Sequence, residues 1–347
     1  MVKGLKKLLI VLFGLIIAIV ALFFTAAIYN NVPSLEKTPK IETVANRKNS
    51  FPRDTLKVLS YNIHFATGLN DKQIKDPDID GFKKRLNKIA DILNKVDADI
   101  VLLQEVDINS SRSYKINQGQ YLANKSVYGY YASASLWRRR AFPDINGHHG
   151  ILEHGLCILS KFPLSNHEAQ IFSLSRGIPF FLRWLFNPHG VQKVDVNLGN
   201  KTITVINLHL DPWSVQNREL QMKNLVQWIK PINHPIVLGG DLNLEPLYTP
   251  FKTIYHLQDR PWFITVDQEN LQNENTLVLL KEIGFRPCIN SSTYLKNPKA
   301  YYTYPSDDPK VKLDYIFSNK LKIMNGYIFH DAKDASDHLP IVAEFEL

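Results

Sequence analysis

The fold is decided by two stretches, Gly239-Gly240-Asp241-Leu242-Asn243 and Ala335-Ser336-Asp337-His338-Leu339-Pro340-Ile341. In each stretch, clustered Asp, Asn and His side chains adjoin an apolar strand pattern. Carboxylates, a neutral imidazole and an amide can together hold a hard cation and a water molecule beside a phosphoryl group. The two stretches therefore indicate metal-assisted phosphate chemistry at the ends of strands.

The charge of the chain is concentrated near its N-terminus. The formal net charge is +8, of which Lys3, Lys6 and Lys7 give +3 to residues 1–28. Residues 29–53 carry five basic and two acidic groups, which leaves about +2 for everything after them. The folded part is nearly neutral, so the pI near 9.2 is weak evidence for nucleic-acid binding.

An uncharged run of 21 residues, Leu8 to Ile28, predicts a transmembrane helix. Such a helix is about 31 Å long, and the hydrocarbon core of a bilayer is roughly 30 Å thick. The lysines before it predict a single-pass protein with a cytoplasmic N-terminus and an exported catalytic domain, in the periplasm, outside the cell or in a lumen. The alternative is a cleaved signal with small residues at Thr25-Ala26-Ala27. Signal cores are usually about 7 to 15 residues long, which favours the anchor.

Three segments follow from this pattern: an anchor at residues 1–28, a linker at 29–53 and one domain at 54–347. The linker is polar, contains prolines and has no apolar periodicity, which is typical of a tether. Cys157 and Cys288 have no spacing that indicates a metal or redox site.

The domain mixes strands and helices. Apolar patterns predict strands at 56–63, 100–106, 156–159, 235–239, 313–317 and 340–347, and helices near 82–93, 220–229 and 276–283. Residues 195–205 predict a hairpin because Gly199-Asn200 supplies the positive φ of a two-residue turn. Antiparallel hairpins with interspersed helices indicate an α+β layered domain. No glycine-rich nucleotide loop follows the first strand, so no sequence motif supports a Rossmann or P-loop fold.

Further strand ends carry polar side chains that are unfavourable in an apolar core. Gln104 and Glu105 follow four apolar residues, and a buried carboxylate is costly unless a cation pairs with it. Asn207 and His209 alternate onto one face of their strand, as Asp241 and Asn243 do. Near the C-terminus, Asp314 is a carboxylate that could orient an imidazole.

The motifs occur in the order Asn62, Gln104-Glu105, Asn207 with His209, Asp241-x-Asn243, Asp314 and Ser336-Asp337-His338. This order resembles the endonuclease/exonuclease/phosphatase superfamily, which includes pancreatic-type deoxyribonucleases, abasic-site endonucleases, bacterial sphingomyelinases and inositol polyphosphate phosphatases. The resemblance runs from about residue 56 to the C-terminus. It implies a four-layer α/β/β/α sandwich of two mainly antiparallel sheets, with a divalent metal at one end.

The resemblance also implies roles for particular residues. Glu105 resembles the main metal ligand and Asn62 its neighbour, with Asp337 serving the metal or the water. The expected cofactor is Mg²⁺, with Mn²⁺ as the alternative; Mg²⁺ suits a sparse site because it keeps several waters. His338 resembles the general base, and Asp314 the carboxylate that holds its ring.

Other catalytic positions follow from the same resemblance. Asp241 and Asn243 would position the water and bind phosphoryl oxygens. His209 resembles the histidine that contacts the phosphate or protonates the leaving group, with Asn207 a weaker candidate. Glu153 is the nearest candidate for a glutamate that braces this histidine in deoxyribonuclease-like members.

Simpler interpretations remain open for several motifs. Gln104 is interpreted as a structural amide at a strand end, and His64 as a rim histidine. The run Arg138-Arg139-Arg140 is either a phosphate-binding patch or a solvated loop. The aromatic insert 179–188 is either a lid packed on the domain or a contact with lipid.

The sequence therefore predicts a membrane-tethered, Mg²⁺-dependent phosphoesterase, in which water attacks a phosphodiester or phosphomonoester. A phospholipid or related headgroup ester is the favoured substrate. A nuclease is the alternative, although the near-neutral domain gives no sign of a basic groove. A binding protein that has lost the chemistry is the alternative of another class. No protein partner can be inferred.

Overall fold

The computed structural model describes residues 2–30, 39–45, 54–69, 78–143, 149–175, 178, 183, 186–246, 249 and 273–347. Two sheets form the centre of the domain. The first has seven strands in the order β1-β4-β5-β3-β2-β13-β12, where the strands are β1 (Ile41–Thr43), β2 (Thr55–Asn62), β3 (Ile100–Asp107), β4 (Tyr130–Pro143), β5 (His149–Ser160), β12 (Lys322–Ile328) and β13 (Ile341–Glu346).

The second sheet has six strands in the order β10-β11-β9-β8-β7-β6. Its strands are β6 (Leu164–Ile171), β7 (Gly190–Asn197), β8 (Thr202–His209), β9 (Ile236–Asp241), β10 (Arg286–Pro287) and β11 (Asp314–Ser318). Each sheet contains one parallel pair, β2 with β3 and β8 with β9, and its other described pairs are antiparallel. The prediction of two mainly antiparallel sheets is confirmed.

Helices cover the outer faces of the two sheets. The domain helices are α2 (Ile79–Val96), α3 (Gln118–Lys125), α4 (Val215–Ile229), α5 (Thr276–Glu282) and α6 (Ser291–Lys296). The apolar face of α2 belongs to the same core as the first sheet, and the apolar residues of α4 and α5 join a core with the second sheet. This arrangement confirms the four-layer α/β/β/α sandwich.

The two sheets approach closely where the polar residues of β3 and β8 meet. A Cβ on Gly239 would lie 2.8 Å from Cδ1 of Leu102 in the facing sheet and 3.0 Å from the Tyr315 carbonyl oxygen, so any larger residue would make these neighbours shift. Gln104 Nε2 donates to Asn207 Oδ1 at 2.7 Å across the sandwich. The Nδ2 group of Asn207 donates to the carbonyls of Leu103 and Cys157. Asn207 and Gln104 therefore tie the sheets together, which supports the structural interpretation of Gln104.

The predicted linker does not lie wholly outside the domain. Residues 41–43 form β1, which pairs with β4 at the edge of the first sheet. Hydrogen bonds to a sheet edge need no apolar periodicity, which is why the sequence pattern did not indicate this strand. The helix before the linker, α1 (Val2–Asn30), extends two residues beyond the predicted anchor.

Within the apolar segment Gly4–Tyr29 of α1, the most apolar window has a mean hydropathy of 3.1, and none of that window is buried against the domain. The segment is long and apolar enough to cross a membrane. A signal sequence would have the same properties, so composition alone does not choose between the two. The aromatic insert 179–188 lies mostly outside the described residues.

Candidate active site

The predicted site residues lie at one end of the sandwich. Asn62 ends β2, and His209 and Asp241 end the parallel neighbours β8 and β9. Asp314 begins β11, which is antiparallel to β9 and places Asp314 directly opposite Asp241. Because the carboxyl ends of parallel strands meet at one edge, strands that are distant in sequence deliver polar side chains to one place.

Glu105 reaches this place through a β-bulge. The pairing of β3 with β5 shifts between Leu103 and Val106, so Gln104 and Glu105 together oppose one residue. Glu105 has φ of +53°, in the left-handed region that non-glycine residues adopt at a cost. A bulge of this kind redirects a side chain, and here it brings the carboxylate to Asn62.

Asn62 links two carboxylates from different sheets. Its Nδ2 group donates to Glu105 Oε1 and to Asp241 Oδ2, each at 3.1 Å. Its Oδ1 atom accepts from the backbone N–H of His64 at 3.0 Å. The amide is buried and held on both sides, so Glu105 and Asp241 are fixed about one common point.

His338 forms a buried pair with Asp314. The ring Nδ1–H donates to Asp314 Oδ2 at 2.8 Å, which leaves Nε2 facing Asp241 Oδ2 at 3.6 Å. The tautomer follows from this geometry because a carboxylate only accepts. Burial lowers the pKa of His338, but the Asp314 and Asp241 carboxylates outweigh burial and hold it well above its usual value. These carboxylates therefore make Nε2 a strong proton acceptor once the ring is in its neutral form.

Asp241 lies at the centre of the cluster and is fully buried. Burial raises the pKa of Asp241 to about 7, while His338 opposes this rise and Asp314 adds to it. Its Oδ1 atom accepts from the backbone N–H of Asn243 at 2.9 Å. One N–H of the Asn243 side chain donates to the Leu210 carbonyl, which fixes the plane of that amide beside Asp241.

His209 approaches Asp241 from β8. Its Nε2 atom lies 3.5 Å from Asp241 Oδ2, and its ring meets the ring of His189 edge to face with centroids 4.5 Å apart. Burial lowers the pKa of His209 well below its usual value, and the neighbouring imidazoles of His189, His338 and His154 lower it further. His209 is therefore neutral at neutral pH, and it serves as a hydrogen-bond donor more readily than as an acid.

Asp337 lies at the rim, with Oδ1 3.6 Å from Nδ1 of His64. The turn that carries His64 is left-handed at three consecutive residues, His64, Phe65 and Ala66, with φ of 45°, 53° and 59°. Burial raises the pKa of Glu105; His64 opposes this rise, and Asp337 adds to it. His64 thus contributes to the charge balance of the site, which its interpretation as a rim histidine did not include.

Glu153 does not brace His209. Its Oε2 atom lies 3.4 Å from Arg138 Nε on the neighbouring strand. In the alternating pattern of β5, the adjacent His154 packs instead against the rings of Phe65 and Trp137, at 4.9 and 5.2 Å. The His209 ring instead contacts the ring of His189 and lies beside the Asp241 carboxylate.

The site contains two sets of residues that could hold a metal ion. Asp241, Asp314 and His338 offer ligand atoms within 4.8 Å of one another. However, Asp314 and His338 already share a hydrogen bond, which a metal would have to displace. Glu105, Asn62 and Asp337 form the other set, which offers oxygen ligands of the kind Mg²⁺ prefers. The Asn62 amide turns Nδ2 toward Glu105 and Oδ1 toward the His64 N–H, so it would have to turn over to bind a cation through its oxygen. Burial and Asp337 both disfavour the charge on Glu105, so a cation beside this carboxylate would stabilise its ionised form.

Sequence reasoning missed several residues that support the site. Tyr304 packs on His338 with ring centroids 4.9 Å apart, and the Thr303 hydroxyl accepts from the backbone N–H groups of Leu313 and Asp314. Loop residues of this kind carry no periodic signal. His189 precedes Gly190, which pairs with His209, so only knowledge of the strand register would have revealed it.

Lys312 is another buried support of Asp314. Its ammonium donates to the Asp314 carbonyl and lies 3.3 Å from the ring centroid of Tyr315. Burial lowers the pKa of Lys312 to about 7, although Cys288 and Asp314 raise it somewhat. In the unfolded chain the same lysine titrates near pH 10.4.

This difference predicts a pH-dependent stability. Between about pH 7 and pH 10 the unfolded chain binds a proton at Lys312 that the folded chain does not, so stability falls as the pH falls through this window. We expect Lys312→Met to remove this decrease in the free energy of unfolding, which is a few kcal/mol. Urea unfolding at pH 7 and pH 9.5 measures the free energy of unfolding on both sides of the window. The exposed Lys320→Met is the control, and an equal pH dependence in Lys312→Met and the unmutated chain would contradict the prediction.

Comparison with known proteins agrees with this geometry. The sequence model of the Endonuclease/Exonuclease/phosphatase family matches residues 59–338. That range contains every predicted site residue, from Asn62 to His338. A comparison with curated proteins found no match.

Solved structures with the same fold have low sequence identity to the chain. An endonuclease/exonuclease/phosphatase from Beutenbergia cavernae is 18% identical, with a TM-score of 0.58, over 85% of this chain and 72% of that one. A mannosyl-6-phosphatase from Bacteroides thetaiotaomicron is 15% identical, with a TM-score of 0.54, over 84% and 100%. A humanized D. rerio TDP2 is 16% identical, with a TM-score of 0.50, over 85% and 100%. At this identity the likeness shows the fold alone.

Proposed function

Since the chain belongs to the endonuclease/exonuclease/phosphatase family, we propose that it is a membrane-tethered phosphoesterase that uses a divalent cation and an activated water. One observation carries the proposal. His338 is held by Asp314 at 2.8 Å, and its free Nε2 faces Asp241 within the same cluster as Glu105. These contacts support the assignment of a base, its orienting carboxylate and a cation site to one cluster, as water activation beside a phosphate requires.

We assign the chemical steps to residues of this cluster. His338 Nε2 takes a proton from water as the water oxygen forms its bond to phosphorus and the P–O ester bond opposite breaks. Asp314 stabilises the imidazolium that results. Asp241 and Asn243 orient the water, and His209 donates its N–H to a phosphoryl oxygen. The departing oxygen takes its proton from solvent.

Glu105, Asn62 and Asp337 are the residues that would hold the cation. A bound divalent ion would neutralise charge that develops on the phosphoryl oxygens. We favour Mg²⁺ because every ligand atom is oxygen and the set is small, which leaves room for water in an octahedral shell. Mn²⁺ suits the same ligands.

The proposed substrate is a phosphate ester near a membrane, such as a phospholipid or headgroup ester. The support is α1, which is apolar and unburied along Gly4–Tyr29, and a catalytic domain that is close to neutral. The mannosyl-6-phosphatase and TDP2 have the same fold, so the fold alone does not identify the substrate.

A substrate panel tests the proposal. The full chain in detergent is assayed with Mg²⁺ and with a chelator against phosphatidylinositol, sphingomyelin, plasmid DNA and a chromogenic phosphodiester. We expect hydrolysis of the chromogenic diester and of a lipid substrate with Mg²⁺, and none with chelator. Cleavage of plasmid alone would identify a nuclease. If none of the four is hydrolysed with Mg²⁺, while the protein still binds Mg²⁺, the result supports the non-catalytic alternative.

A further inference from the structure

The path of the linker along β4 has a defined direction. Ile41 lies opposite Ala132 and Thr43 opposite Tyr130 in antiparallel register. The chain before Ile41 therefore runs toward the higher-numbered end of β4, where Arg138 and Arg140 lie. Consistent with this direction, Pro39 and Lys40 line a small cavity together with residues 133–135.

The end of α1 lies at the same place. The guanidinium carbon of Arg140 is 5.2 Å from the ring centroid of Tyr29, one residue before α1 ends. Ten residues separate Asn30 from Ile41, and the eleven steps between their Cα atoms span at most about 40 Å in an extended chain. The arginine end of β4 therefore stays close to the point where α1 would leave a membrane.

The residues at this place suit a phospholipid surface. Arg140 and Lys40 are exposed, and the side chain of Arg138 is 43% exposed even though it pairs with Glu153. Guanidinium groups bind phosphate through two parallel hydrogen bonds. Tyrosine is enriched where transmembrane helices meet the headgroups, and Tyr29 occupies that position in α1.

We propose that Tyr29, Lys40, Arg138 and Arg140, the juxtamembrane edge, bind the phosphates of anionic phospholipids in the membrane that α1 crosses. The inference rests on the membrane anchor of the proposed function. A membrane is favoured over nucleic acid because the apolar α1 ends against this edge, while residues 54–347 as a whole, with both arginines counted, carry a charge of only about +2.

The edge lies at the same end of the sandwich as the active site. Trp137, just before Arg138, is opposite His154, and His154 is opposite Asp107 at the carboxyl end of β3. Glu105 is two residues before Asp107 in the same strand. Binding of the edge to headgroups therefore orients the site end of the domain toward the bilayer, where a lipid phosphate ester is available.

Hydrogen exchange of the full chain in nanodiscs tests the inference. We compare phosphatidylcholine discs with and without phosphatidylglycerol and follow the amides of residues 39–45 and 130–140. We expect anionic lipid to slow exchange there at least about fivefold, which is the contribution of one basic side chain at an anionic surface. Arg138→Gln combined with Arg140→Gln should abolish the difference. The control Lys201→Gln, an exposed lysine before β8 at the other end of the strand from His209, should keep it.

Several results would overturn the inference. The first is equal exchange in both kinds of disc. The second is a loss of the lipid-dependent protection in Lys201→Gln as large as that in the double arginine variant. The third is protection of the same amides by a short DNA duplex in neutral discs. Turnover of the soluble chromogenic diester in the same discs separates the two proposals. Normal turnover without protection of the amides by anionic lipid rejects only the lipid binding of the juxtamembrane edge. Protection of the amides without turnover rejects the esterase and supports the lipid binding of the juxtamembrane edge.

Discussion

His338→Ala is expected to lower kcat on the chromogenic phosphodiester by a factor of at least about 10², because a positioned general base contributes roughly 10²–10⁴ in rate. The structure gives the reason, since the His338 Nε2 atom faces the cluster while Nδ1 is held by Asp314 at 2.8 Å. Asp314→Asn should cause a loss of similar size, because an amide can hold the ring in the wrong tautomer. Steady-state kinetics at saturating substrate measure both effects.

Two controls separate a catalytic loss from a folding defect. His330→Ala removes an exposed histidine of the 3₁₀-helix 330–335 and should leave kcat unchanged. Added imidazole should restore part of the activity of His338→Ala, since the deletion leaves space beside Asp314, but none to Asp314→Asn. Full activity in His338→Ala would show that another group activates the water.

The layered fold could be predicted from sequence because its strands and helices have strong patterns. Phe82, Leu86, Ile89 and Leu93 repeat at helical spacing and are buried in α2, as predicted. The strand ends at Asn62, His209 and Asp241 were identified because polar residues followed apolar runs, and the parallel pairs bring those ends together. Each of these strand ends was a weak signal by itself, and the prediction that they meet in one site came from the family resemblance that their order carries.

The features of the fold and site that the sequence did not reveal depend on the register between paired strands and on residues in loops. The bulge that redirects Glu105 is visible only once β3 and β5 are aligned, and the contact of His189 with His209 needs the register of β7 and β8. The strand at Ile41–Thr43 adds to a sheet edge through backbone hydrogen bonds, for which side-chain patterns give no signal. Glu153 was misassigned for a related reason, because the pairing of β4 with β5 places it opposite Arg138.

Glu105→Gln is expected to change activity and stability in opposite directions. Burial raises the pKa of Glu105, so the ionised carboxylate at neutral pH costs stability in the metal-free protein, and a neutral amide of the same shape removes that cost. We expect the metal-free variant to be at least as stable as the unmutated chain. Its kcat with Mg²⁺ should nevertheless fall by at least about 10², because loss of one electrostatic contribution of this type typically costs 10²–10³.

Thermal unfolding with and without Mg²⁺ tests the assignment of the metal site directly. A ligand that binds only the folded state at a hundred times its Kd stabilises by about 2.7 kcal/mol. The unmutated chain should gain stability of this order with excess Mg²⁺, and Glu105→Gln should gain little.

The matched control is Glu153→Gln, which removes a carboxylate paired with Arg138 on a neighbouring strand and should retain the gain. If instead Asp314→Asn removed the Mg²⁺ effect while Glu105→Gln kept it, the cation would lie among Asp241, Asp314 and His338. The base would then have to be sought outside that group.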